Sequence, residues 1–85
     1  MSEIWVEGIW LRYKTRRPLR TLRKIAERGY AAFLRYNYGW IRLTPEDVEK
    51  LVRGETVSVP YFLEHPRFEG VRAHTVVMLS PESFS

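Results

Sequence analysis

The chain contains no cysteine, which removes disulfides, thiolate nucleophiles and cysteine-based zinc or iron–sulfur sites together. Histidine is almost as scarce: His65 and His74 are the whole supply. They lie in no HxxxH or HExxH pattern, so no metal or cofactor is expected. Gly8, Gly29, Gly39, Gly54 and Gly70 stand singly, which leaves neither a phosphate-binding loop nor a dinucleotide fingerprint. Ser58 and Ser80 lie in no GxSxG elbow. Glu46, Asp47 and Glu49 are close enough to suggest paired carboxylates, but they sit where a helix begins, and acidic groups there complement the free amides of the first turn. The sum of these absences is an expectation of a protein that is not an enzyme, without catalytic residues. His65, between Glu64 and Pro66, reads as an exposed loop residue, and His74 as a sheet-face residue with an ordinary hydrogen bond. The functional alternative for either is a general base or a phosphate contact, because imidazole titrates near neutrality.

Long apolar runs are missing too. Uncharged stretches such as Thr56–Leu63 fall far short of the ~20 residues of a membrane span, and no membrane association is expected. Glu3 and Glu7 interrupt the opening where a secretory signal needs a basic start and an unbroken apolar run. A cytoplasmic location follows as the expectation. The lack of cysteine, with little Asn and Gln and proline in loops, also suits a hot habitat.

What the chain has in quantity is apolar and basic side chains. Hydrophobic residues make up 45% and aromatics 14% of its 85 residues, enough for an ordered core, and the length suits one domain spanning residues 1–85 with a frayed tail at 80–85. The net charge of +4 conceals an asymmetry. The basic groups cluster before residue 44, opposed there by Glu3, Glu7 and Glu27 alone, whereas the second half is acidic. Such a dipolar chain suits an oriented encounter with a polyanion, or a head-to-tail contact with a complementary surface.

Residues 4–13 are rich in Trp, Ile, Val and Tyr and read as a strand. Neither parity is cleanly apolar, so this strand is either covered on both faces or bulged at Gly8. After a connection near Thr15, Pro18 suits a first helical turn. Leu19, Leu22, Ile25 and Ala26 then mark the buried side of a helix over 19–28, stopped by Gly29. A rival parse carries the helix on to Tyr36, since Gly29, Phe33 and Tyr36 keep the spacing. The aromatic, β-favouring stretch that follows favours two strands instead, roughly 31–36 and 39–43, around a turn at Asn37-Tyr38-Gly39. Thr44-Pro45-Glu46-Asp47 is a capping box opening a second helix through Val48, Leu51 and Val52, which Gly54 ends. Thr56–Val59 reads as a short strand closed by Pro60, Tyr61–Leu63 as an anchored loop, and 71–79 as a final strand. The fold class is α+β: a small mixed or antiparallel sheet with two short helices, either in a ferredoxin-like β-α-β-β-α-β order plus a C-terminal strand or with both helices on one face.

A helix at 19–28 gathers Arg20, Arg23, Lys24 and Arg28 on one surface, with Arg16 and Arg17 at its amino end. Such a face neutralises phosphates and releases counterions, giving salt-dependent and largely sequence-blind affinity. Tyr38 and Trp40 flank a turn and interleave with Arg12, Arg35 and Arg42, the composition of a platform on which unpaired bases stack. The expected partner is therefore nucleic acid, RNA or single-stranded DNA, or another polyanion. The competing expectation is a protein-interaction module or accessory subunit, docking through the basic face or pairing the strand 71–79 with a protein partner or in a homodimer. The aromatic residues also have a purely structural role open to them, as core.

Overall fold

The structure, a computed structural model, describes residues 1–84. The first expected strand is two. β1 (Ser2–Val6) and β2 (Arg12–Thr15) form an antiparallel hairpin because the chain reverses between them, with Gly8 at φ +88° and Trp10 at +49°. Gly8 belongs to a turn rather than to a bulge. α1 (Pro18–Glu27) follows, with Pro18 in its first turn and Gly29 at φ +82° beyond its end. β3 (Ala32–Tyr36) and β4 (Gly39–Leu43) pair across a tight turn, which excludes the longer helix. α2 (Pro45–Val52) opens on the expected capping box: Thr44 Oγ1 accepts from the Asp47 amide at 3.2 Å, and Asp47 Oδ2 accepts from the Thr44 amide at 3.0 Å.

β5 (Val57–Phe62) runs through Pro60, and Tyr61 and Phe62 belong to it rather than to a loop. The proline is tolerated because the ladder between β4 and β5 consists of Trp40 opposite Phe62 and Ile41 opposite Tyr61, and so stops one residue short of it. β6 (Thr75–Leu79) starts four residues later than expected. Pro81–Phe84, placed in the expected frayed tail, is a single 3₁₀ turn whose Phe84 packs on the core.

The six strands form one antiparallel sheet in the order β2-β1-β3-β4-β5-β6. The fold class is thus α+β with an antiparallel sheet. Only one half follows split βαβ logic: β1 lies between β2 and β3, which α1 connects. In the other half α2 connects β4 to its immediate neighbour β5. No helix among the described residues is long and apolar enough to cross a membrane.

Strand alternation gives the sheet two different faces. Ile4, Leu34, Ile41 and Val59 point to one side and are almost fully buried against Leu22 and Ile25 of α1 and Val48 and Leu51 of α2. Each such side chain contributes roughly 1.5–3 kcal/mol on leaving water. Among the described residues the opposite side carries no α-helix, and the chain between β5 and β6 returns across it, bringing His65 onto Trp5 and Trp40.

Candidate nucleic-acid interface

The expected contact residues divide between these two sides. Arg16, Arg17, Arg20, Arg23, Lys24 and Arg28 are exposed on or beside α1. Among the described residues only one ion pair forms within this group, Arg23 with Glu27 at 3.5 Å, both ends largely in water. α1 has no acidic residue in its first turn and no side chain capping its amino end. Arg16, Arg17 and Arg20 instead crowd the positive end of the helix dipole, an arrangement that works against stability. Local hydroxyls hold the entry: Thr15 Oγ1 accepts from the Arg17 amide and from Thr21 Oγ1, each at 3.0 Å. Beside α1, Tyr13 from the β2 edge faces Lys24 and Arg28 across a shallow hollow of about 270 Å³.

Arg12, Arg35, Trp40 and Arg42 lie on the other side of the sheet. Register puts Arg12, Trp5, Phe33 and Arg42 in one cross-strand row and Arg35, Trp40 and Phe62 in the next. Two of the arginines are matched locally. Arg42 grips Glu7 through Nη2 at 2.7 Å and Nε at 3.3 Å, and Arg12 meets Glu3 at 3.0 Å. The other oxygen of Glu3 accepts from the Trp5 indole at 3.0 Å. Arg35 lies over the Trp40 ring, 5.5 Å from its centroid. Tyr38 projects from the β3–β4 turn, 87% exposed. Trp40, the other aromatic expected to be accessible, is 5% exposed: its place on β4 points it under the returning loop rather than out from the turn.

What covers Trp40 is His65, and here the sequence reading fails most clearly. The imidazole is no exposed loop group. Its centre lies 4.3 Å from that of Trp40, 4.9 Å from Trp5, 5.4 Å from Trp10 and 5.9 Å from Phe33. All three tryptophans of the chain therefore surround one histidine. Its Nδ1 accepts the Arg67 amide at 3.1 Å, which puts the proton of the neutral ring on Nε2. Nε2 is buried without a hydrogen-bond partner among the described residues. Burial first, then the nearby Arg67 and Arg35 charges, lowers the His65 pKa, with Glu3 opposing. Trp10 holds its left-handed backbone while its ring stacks on Phe33, 6.1 Å between centres and 8° from parallel. A bulky residue in that region is strained. Arg67 completes the rim, 5.5 Å from the Trp10 centroid. Tryptophan content was the one signal of this cluster in the sequence. His74, the other histidine, is exposed just before β6, and its amide donates to the Tyr61 carbonyl at 2.8 Å.

Comparison of the chain with protein-family models, with curated proteins and with solved structures finds no match.

Proposed function

We propose that this is a small basic nucleic-acid-binding protein that holds RNA or single-stranded DNA by phosphate contacts from the α1 face. One observation carries the reading: six exposed cations gather on and before a helix whose amino end has neither an acid nor a side-chain cap, and among the described residues one weak ion pair offsets them. A phosphate at that end accepts free amide hydrogens, complements the dipole and relieves the repulsion among Arg16, Arg17 and Arg20. Arginine adds a two-pronged fit to phosphate oxygens.

The test is binding of the nuclease-treated protein to labelled single-stranded RNA, single-stranded DNA and duplex DNA over a salt series. Affinity should fall steeply with salt. Replacing Arg20, Arg23 and Lys24 together by Ala should weaken binding at least about tenfold and flatten the salt slope by roughly 2–3, with the circular-dichroism spectrum unchanged. Equal binding by this variant overturns the reading.

A second reading has its own support. β6 is an edge strand without a charged residue, and Val76 and Met78 are 62% and 65% exposed on it. Such an edge favours addition of a strand from a second chain. In that case Val76→Lys lowers the solution mass measured by light scattering; an unchanged mass in a folded variant removes this edge from consideration.

A further inference from the structure

We infer that the uncovered side of the sheet holds a second binding site, for one unpaired nucleotide of a single strand, and that His65 occupies the base position in the free protein. The choice of ligand rests on the nucleic-acid reading; the site itself does not use α1.

The aromatic cluster is more than a packed core. A planar nitrogen heterocycle already sits among Trp5, Trp10, Phe33 and Trp40, and its Nε2 has no hydrogen-bond partner among the described residues. A buried N–H gains at best a weak contact from a π-face, so the imidazole exchanges hydration for stacking and fits less well than an apolar ring. Few other groups of the returning segment hold it down. Leu63, Glu64, Arg67 and Phe68 are exposed, and Arg67 touches the surface through its stack on Trp10. A cleft of about 750 Å³ opens beside the histidine, bordered by Trp5, Trp40, Arg35, Arg67 and Phe68.

Charge selects among the planar or cationic ligands that aromatic cages take. Two guanidinium groups border the cleft, whereas Glu3, on β1 with Trp5, is already engaged by Arg12 and the Trp5 indole. Glu64 at the rim leaves the balance positive. A methylated ammonium, the usual guest of an aromatic cage, is disfavoured there. A base carrying phosphate suits both parts of the site: the ring takes the place of the imidazole on the indoles, and the phosphate meets Arg35 and Arg67. Entry of the base displaces His65 and lifts the segment, so apparent affinity is reduced by the fraction of molecules in which the plug is in place. Duplex, whose bases are already stacked, has no ring to offer.

Because every tryptophan of the chain is in this cluster, fluorescence excited selectively at tryptophan reads this site and not the α1 face, whose nearby Tyr13 is then silent. The experiment titrates wild type, His65→Ala, His65→Phe and the α1 triple variant with a single-stranded RNA hexamer, with the same sequence as duplex, and with ribose 5-phosphate. Expected are quenching by the single strand only, an apparent Kd several-fold lower for His65→Ala, and one several-fold higher for His65→Phe, whose ring plugs the cage without a buried polar atom. The α1 variant should keep the full quenching amplitude at saturation even where its affinity drops. The proposal is overturned if the single strand leaves the fluorescence of wild type and His65→Ala unchanged, if ribose 5-phosphate quenches equally, or if His65→Phe binds as wild type does. Loss of the response in the α1 variant alone assigns the signal to the helix face and overturns it as well. Loss of retention in the α1 variant with quenching preserved leaves both sites standing; quenching without any α1 effect on binding removes the helix reading and keeps this one.

Discussion

The helix side and the uncovered side of the sheet both carry arginines and aromatics, yet they solve opposite electrostatic problems. On α1 the cations are left in water, nearly unmatched, and Arg16, Arg17 and Arg20 stand at the end of the helix where positive charge is least welcome. Across the sheet, Arg12 and Arg42 are tied to Glu3 and Glu7, and Arg35 and Arg67 lie over indole rings. The lesson is that a count of basic residues does not identify a binding surface. The state of each charge does, because an ion pair already formed must be broken before its guanidinium can serve a phosphate.

The sharpest way to probe this contrast is truncation of one side chain on each side of the sheet. Phe33 is 4% exposed beneath the histidine loop, so Phe33→Ala should destabilise the fold by about 3 kcal/mol or more, measured by urea denaturation. Arg20→Ala should stay within about 0.5 kcal/mol of wild type. Similar values for the two would show that Arg20 is part of the packing rather than a charge left in water.

Acid gives the next largest effect. His65 has its pKa lowered in the folded protein from the ordinary 6.5. As pH drops below that value the unfolded chain takes up a proton before the native one does. Stability conferred by the neutral ring is therefore complete above about pH 7, declines as pH falls through 6.5, and stops declining once the native imidazole is itself protonated. Tryptophan fluorescence of the native protein should change only at the lower end of this window, where the native imidazole itself takes up a proton and leaves its cage. In His65→Phe both transitions should vanish, which thermal melts at pH 7.5 and pH 5.5 would show.

The smallest effect tests the helix side. Arg20→Glu puts an acid into the first turn of α1 and should raise stability by about 0.3–1 kcal/mol while weakening retention of nucleic acid more than Arg20→Ala does. A variant that gains stability and loses binding identifies residues kept for function at the expense of the fold. Unchanged binding would show that the amino end of α1 does not meet phosphate.

Local chemistry made some of this visible in advance. The Thr44-Pro45-Glu46-Asp47 box and the proline and glycine flanking α1 act over three or four residues, and the chain shows them directly. The opening hairpin was obscured because its reversal uses Trp10 in a conformation usually left to glycine or asparagine, within a run that otherwise favours extension. Pro60 suggested a strand end, and its tolerance depends on how far the β4 ladder reaches. The histidine cage was least legible. It needs the register of β1, β3 and β4, the bend that brings in Trp10, and a loop arriving more than twenty residues later, none of which leaves a periodic trace.

Among the described residues the ladder between β4 and β5 has two residue pairs, against five between β3 and β4. Mechanically the sheet is two leaves on a narrow seam, one built from β1 to β4, the other from β5 and β6 with the segment that carries His65. Subglobal opening should begin at such a seam, so that amides of the β5–β6 leaf exchange with solvent ahead of those in β3. Opening at that seam would lift the segment that carries His65 away from the indoles, the direction in which the proposed base site uncovers.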